Sequence, residues 1–133
     1  MTGQRREKVA REWLELASHD WETARFLAEQ GDYHPEVVGM LIQQAVEKYL
    51  KGYLISRGWA LEKTHDLERL CKLASGYDKG FRVFIDSCIE IGDFYLSGRY
   101  PPIVGDVLTS EDVGSSMKSA EELIRFIQAR MTR

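Results

Sequence analysis

Five polar side chains lie close together in a segment whose other residues are mostly apolar. They fall between positions 35 and 57, and they are Gln43, Gln44, Glu47, Lys48 and Lys51. On an α-helix Glu47 lies one turn before Lys51, and Gln44 lies one turn before Lys48. Two ammonium groups one turn apart can hold a phosphate or an acidic group of a partner. The alternative is an ion pair on a solvated face, which contributes about 0.3–0.5 kcal/mol.

The apolar residues of this segment extend too far around the helix for an ordinary surface helix. The main apolar set covers roughly half of the circumference at about 100° per residue. Met40, Leu54 and Ile55 fall in the other half, among the polar residues. We therefore expect the helix to contact neighbours on several sides, with its polar groups lining a crevice or an interface. The main set is Val38, Leu41, Ile42, Ala45, Val46, Tyr49, Leu50 and Tyr53.

A carboxylate also occurs on the apolar stripe of the preceding helix. Asp20 lies between Ala17 and Ala24 on that stripe. A carboxylate that faces the core needs a cationic or hydrogen-bonding partner, because burying an unpaired charge is costly. If the two helices pack antiparallel, Lys48 or Lys51 is the expected partner. The alternative is that Asp20 lies only at the edge of the stripe.

Apolar spacing and capping residues predict how these side chains are positioned. The pattern is that of an all-α fold, an up-and-down bundle of four main helices plus a short one, in a single domain over 1–133. Pro35 suits the first turn of the second helix. Thr64 is the predicted N-cap of the short helix, and Thr109 with Asp112 resembles a capping box. The predicted helices span 7–30, 35–57, 65–74, 79–97 and 110–131.

Composition narrows the class of protein. A chain of 133 residues with 44% hydrophobic content can build a core without disulfide or metal staples. Its net charge of −3 argues against a general nucleic-acid binder, although a local basic patch stays open. Cys71 and Cys88 have apolar neighbours and no CxxC spacing, which predicts reduced core thiols.

The sequence has none of the features of a membrane or metal protein. No apolar stretch approaches a membrane span and the N-terminus has no apolar leader, so a cytoplasmic protein is expected. His19, His34 and His65 are scattered and form no metal-binding pair. We expect no metal and no cofactor.

Several short motifs follow one another in a characteristic order. They are Trp13-x3-Ala17-x2-Asp20-x3-Ala24, Tyr33, the run from Gln43 to Lys51, Gly58, His65-Asp66-Leu67 and Arg99-Tyr100-Pro101. This ordered set resembles the HEPN family (higher eukaryotes and prokaryotes nucleotide-binding domain). The resemblance is strongest over 13–70, returns at 95–101, and is only helix-like toward the C-terminus.

The resemblance implies a bundle of four to five helices, commonly a homodimer. Members are often encoded or fused with a minimal nucleotidyltransferase, as in toxin–antitoxin pairs. Several branches are metal-independent RNases with an Arg-x(4–6)-His motif, in which His handles the proton of the RNA 2′-OH and Arg steadies the phosphate. This chain departs from that motif. The positions that would need histidine after Arg99 hold Val104, Gly105 and Asp106, and seven residues separate Arg57 from His65.

The leading hypothesis is therefore a non-catalytic HEPN module that binds a nucleotide or a partner nucleotidyltransferase. One alternative is an RNase toxin that uses His65 with Arg57 or Arg99 across a dimer. Another is a purely structural homodimer formed by helix 2 and helix 4. Tyr95 and Tyr100 could stack on a base or simply pack, and His65-Asp66 favours a structural tie of the third helix. The predicted ligand-binding residues are Asp20, Gln44, Glu47, Lys48, Lys51, His65, Asp66, Tyr95, Arg99 and Tyr100, with no catalytic residue assigned.

Overall fold

The chain is built from helices. A computed structural model describes residues 2–97, 99, 101 and 107–131. Within these residues there is no strand, and the predicted all-α bundle is confirmed. None of the described helices has both the length and the apolar character needed to cross a membrane. The helices are α1 (Gly3–Glu29), α2 (Pro35–Ser56), α3 (Leu67–Ser75), α4 (Ile85–Gly92), α5 (Phe94–Ser97) and α6 (Ser110–Met131).

The first two helices pack antiparallel along most of their length. The side chain of Lys48 contacts Asp20, Gly52 lies against Leu14, and Gly58 lies near the end of the Arg6 side chain. The contacted positions in α1 thus fall as the positions in α2 rise. This orientation places the polar residues of α2 beside the stripe that carries Asp20.

The ends of these helices follow from local sequence. The hydroxyl of Thr2 accepts a hydrogen bond from the backbone N–H of Arg5, so α1 begins earlier than the predicted position 7. Gly31 and Gly58 take φ values of 79° and 97°, which glycine adopts without a Cβ penalty, and the chain leaves the helix at each. Pro35 occupies the first turn of α2 as predicted.

The predicted N-cap of α3 is wrong. The cap is Asp66, whose carboxylate accepts a hydrogen bond from the backbone N–H of Arg69. The hydroxyl of Thr64 accepts one from the N–H of Asp66 instead, which supports the turn before the helix. A carboxylate at the cap also faces the positive end of the helix, which favours Asp66 over Thr64.

The single helix predicted over 79–97 is divided into three parts. A 3₁₀ helix (Lys79–Phe84) leads directly into α4, and Asp93 separates α4 from the single turn α5. At Asp93 the backbone N–H bonds three residues back, to the carbonyl of Glu90, which tightens the last turn. The break lets Phe94 pack next to Gly39 of α2. The predicted capping box before α6 is confirmed, because Thr109 and Asp112 exchange hydrogen bonds.

Helix α2 forms the centre of the bundle. It packs against α1, α3, α4, α5 and α6, and most of its residues are buried, which confirms the prediction of neighbours on several sides. The chain itself therefore covers most of the α2 surface that one alternative assigned to a subunit contact. Cys71 and Cys88 lie in the core as free thiols, and the Cys71 thiol together with burial raises the pKa of Cys88.

Candidate functional site

The Glu47 carboxylate is the centre of a buried hydrogen-bonded cluster on α2. Its Oε1 atom accepts a hydrogen bond from the Gln43 side-chain amide at 3.0 Å and lies 2.9 Å from Nδ1 of His65. Its Oε2 atom lies 3.0 Å from Nζ of Lys51. Gln43, Glu47 and Lys51 come together because residues four apart lie on one helix face, whereas His65 arrives from the segment before α3.

Lys51 is buried rather than solvated. Only 4% of the residue is exposed, and its ammonium lies 5.6 Å from the ring centroid of Trp13 on α1 as well as beside Glu47. The negative ring face and the carboxylate together compensate the charge. The alternative of an ion pair on a solvated face is therefore wrong for Glu47 and Lys51. The geometry gives Lys51 a structural role, and its predicted contact with a ligand stays a prediction.

Asp20 and Lys48 form a separate pair at the edge of the α1–α2 contact. Nζ of Lys48 lies 2.6 Å from Oδ2 of Asp20, and both side chains are mostly buried. The expectation that Asp20 finds a lysine of α2 is confirmed, with Lys48 as the partner. The pair links the two long helices at mid-length, and Gln44 is half-buried one turn away on α2.

The contacts of His65 determine which ring nitrogen carries a proton. A carboxylate can only accept hydrogen bonds, so Nδ1 is the donor to Glu47. In the neutral ring Nε2 is then the acceptor. No hydrogen bond from the described residues reaches Nε2, and 52% of the His65 side chain is exposed. The Nε2 edge of the imidazole, its outer edge, is therefore open to solvent, whereas the Nδ1 edge is hydrogen-bonded to Glu47.

The Tyr95 ring contacts both His65 and Arg99. The His65 ring stacks on Tyr95 with centroids 4.6 Å apart and planes inclined by 25°. The guanidinium carbon of Arg99 lies 3.9 Å from the same ring centroid, and Nη1 donates to the Tyr95 carbonyl at 2.8 Å. The Tyr95 ring thus contacts an imidazole and a guanidinium at once. We call this arrangement of His65, Tyr95 and Arg99 the aromatic stack.

The predicted ligand-binding residues do not all lie together in the structure. Glu47, Lys51, His65, Tyr95 and Arg99 form one connected site, whereas Asp20 and Lys48 form a separate pair. Asp66 is turned toward its own helix as a cap, in line with the structural interpretation of His65-Asp66. The predicted residue Tyr100 lies outside the described residues.

Two participants were not among the predicted ligand-binding residues, although Gln43 was part of the polar cluster recognised on α2. Gln43 belongs to the Glu47 cluster, and its side-chain Oε1 is buried without a hydrogen-bond partner among the described residues. Trp13 covers Lys51. The signal for Gln43 was its spacing of four residues before Glu47. Trp13 had no comparable signal, because its contact depends on how α1 packs.

The chemistry available here is that of a fixed imidazole and an exposed guanidinium. A neutral Nε2 can accept a proton or a hydrogen bond, and a guanidinium binds carboxylate or phosphate in its plane. Among the described residues no group of three His, Cys, Asp or Glu side chains is suited to a metal ion. The site is thus equipped for anion binding and proton transfer.

Comparison with known proteins places the chain in a family. The model of the HEPN domain matches residues 10–130. The chain belongs to the HEPN family. A search of curated protein sequences finds no significant match.

Two solved structures share the HEPN fold with this chain. TT1696 from Thermus thermophilus has 23% identity and a TM-score of 0.71, over 90% of this chain and 96% of that one. ST0689, described as an archaeal HEPN homologue, has 20% identity and a TM-score of 0.69, over 92% of this chain and 97% of that one. At these identities the likeness concerns the fold alone.

Proposed function

We propose that this HEPN chain is a non-catalytic binding module that holds the phosphate of a nucleotide at the outer edges of His65 and Arg99. The observation that carries the proposal is the aromatic stack. It presents an imidazole and a guanidinium on one ring, with the imidazole held from behind by Glu47. The free guanidinium nitrogens of Arg99 donate to the phosphate, and His65 donates through Nε2 in its protonated form, with Nδ1 still held by Glu47. Such preorganised donors bind an anion with less loss of conformational entropy than free side chains do.

The lysines near the site are already paired with carboxylates of the protein, which supports the assignment of the phosphate to Arg99. Lys51 is buried against Glu47, and Lys48 is paired with Asp20. Their charges are compensated within the protein, whereas Arg99 is exposed and one of its nitrogens is used by the Tyr95 carbonyl. The remaining guanidinium donors suit a phosphate oxygen. Phosphate contact by Lys48 and Lys51 is accordingly not part of the proposal.

Titration calorimetry with AMP and ATP tests the proposal. We expect Arg99→Ala and His65→Ala each to weaken binding about tenfold, which corresponds to about 1.4 kcal/mol. Arg125→Ala is the matched control, since Arg125 is an exposed arginine of α6 whose ion pair is with Glu121 on its own helix. Absence of nucleotide binding, or equal affinity in all three variants, would contradict the proposal.

A partner nucleotidyltransferase and a homodimer belong to the same proposal, and family membership is their support. Sedimentation of the purified chain tests the dimer. Co-expression with the product of a neighbouring nucleotidyltransferase gene, followed by copurification, tests the partner. A monomer at micromolar concentration would contradict the dimer. Failure to copurify would contradict the nucleotidyltransferase partner.

RNA cleavage is a second candidate because Glu47 holds His65 as a carboxylate holds a catalytic histidine. The tautomer leaves Nε2 to take a proton, and Arg99 of the same chain contacts the Tyr95 ring on which His65 stacks. The expected result is cleavage of a mixed RNA that His65→Ala abolishes and that chelators do not affect. RNA that stays intact with the purified protein would exclude this candidate.

A further inference from the structure

A second surface adjoins the aromatic stack and has the opposite charge. A groove of about 600 Å³ lies between the start of α3 and the α4–α5 segment, and His65 and Tyr95 are among its lining residues. Its apolar lining includes Leu67, Cys88 and Gly92. We call it the acidic groove, because its other lining residues include carboxylates and no Lys or Arg of the described residues.

The carboxylates of the acidic groove differ in whether an ion-pair or hydrogen-bond partner balances their negative charge. Glu68 is paired with Lys72 at 2.6 Å, and Asp66 caps α3. The Asp93 carboxylate has no hydrogen-bond or ion-pair partner among the described residues. Asp93 also lines a neighbouring groove together with Glu90 and Asp112, again without a lysine or arginine. The α4–α5 segment therefore presents uncompensated negative charge on two sides.

Apolar side chains are exposed next to these carboxylates. Ile89 is 40% exposed and Leu96 is 60% exposed, and both line the acidic groove. Their spacing along α4 and α5 spans about two helical turns, or roughly 10 Å. Because Ile89 and Leu96 line a concave surface, they offer apolar contact area to a molecule that enters the groove.

We propose that the acidic groove docks a cationic, partly apolar segment of a partner protein. Apolar side chains of that segment pack on Ile89 and Leu96, and its Lys or Arg side chains face Asp93 and Asp66. Charge complementarity selects this occupant. A second copy of the chain fits poorly, because a twofold contact through this face would set one acidic surface against another. The proposal goes beyond nucleotide binding, since it does not use Arg99.

The probe is a helical peptide of about two to four turns, with leucines on one face and lysines on the other. Fluorescence anisotropy of the labelled peptide with the full chain should show saturable binding. Asp93→Lys and Ile89→Ser should each weaken that binding at least tenfold. Glu29→Lys, with the same charge change at the exposed end of α1, should change it less than twofold.

Two further peptides serve as controls for charge and for the apolar face. A peptide with glutamates in place of the lysines, and a scrambled peptide without the apolar face, should not bind. Equal binding of the scrambled peptide or of the groove variants would overturn the proposal in favour of diffuse attraction. No saturable binding in the micromolar range would also overturn it.

Sedimentation of Asp93→Lys separates a partner protein from a second copy. If this variant converted a dimer to a monomer, the groove would be a subunit contact and the proposal would fail. Ile89→Ser should leave AMP binding unchanged, so failure of the groove and failure of the nucleotide site are distinguishable.

Discussion

Glu47 and His65 are joined by a 2.9 Å contact between Oε1 and Nδ1, although they belong to different elements. Glu47 lies in the core helix α2, and His65 lies just before α3. The contact orients the imidazole, and Gln43 and Lys51 in turn hold the carboxylate. The position of the exposed His65 edge is therefore set by residues buried behind it.

Replacing Glu47 with glutamine should lower the free energy of unfolding by about 3 kcal/mol. The cause is the Lys51 ammonium, which would stay buried without its counter-charge. Urea unfolding monitored by circular dichroism measures the change. Glu68→Gln is the control, since it removes another i,i+4 pair, with Lys72, that is exposed. A similar small loss in both variants would show that burial of the Glu47 pair has no energetic consequence.

The Asp20–Lys48 pair should contribute about 1 kcal/mol to the α1–α2 contact. The contribution exceeds that of a fully exposed pair because both side chains are mostly buried. A double-mutant cycle with Asp20→Asn and Lys48→Met gives the coupling energy. The same cycle on Glu121 and Arg125, which lie one turn apart on α6, supplies the exposed reference. Equal coupling energies would contradict the prediction.

Two glycine substitutions should change stability in opposite directions. A Cβ atom at Gly52 would lie 3.0 Å from the Leu14 side chain and 3.2 Å from the carbonyl oxygen of Ala10. Gly52→Ala should therefore destabilise by about 1–3 kcal/mol through overpacking of α1 on α2. At Gly114 in α6 such a Cβ would meet no described atom within 4 Å apart from its chain neighbours and the backbone of its own helix, so Gly114→Ala should stabilise by about 0.5–1 kcal/mol. Thermal unfolding measures both, and a loss of stability in Gly114→Ala would be the contrary result.

Asp78 should make stability depend on pH in the acid range. The backbone N–H of Gly80 and the Arg130 side chain hold the pKa of Asp78 below its ordinary value of 3.8. A lowered pKa in the folded state stabilises the protein above the unfolded-state pKa. That contribution is lost as the pH falls through the folded-state pKa. The stability difference between the natural chain and Asp78→Asn should therefore be constant above about pH 5 and shrink below pH 4.

Urea unfolding of both proteins between pH 3 and pH 7 checks this dependence. Glu121→Gln, which removes an exposed carboxylate from α6, is the reference for the general effect of removing a negative charge. A difference for Asp78→Asn that stayed constant down to pH 3 would contradict the assigned cause.

The helices were predictable from sequence because their determinants are local. Apolar spacing defined α1, α2 and α6 to within a few residues, and the capping box of Thr109 and Asp112 formed as expected. The 79–97 segment was predicted less well, since its break at Asp93 depends on where Phe94 packs against α2. The N-cap of α3 depended on a choice between two neighbouring capping residues, which local sequence alone did not resolve.

The sequence by itself determined the helical fold, the family and the spacing of the polar residues on α2. Those properties depend on repeats of three to four residues within one helix. Tertiary structure decided which charges face each other. It paired Lys48 with Asp20, placed Trp13 over Lys51, and brought His65 to Glu47 and Tyr95. Such pairings depend on burial and on the crossing of separate helices, and neither is encoded in the spacing of any one of them.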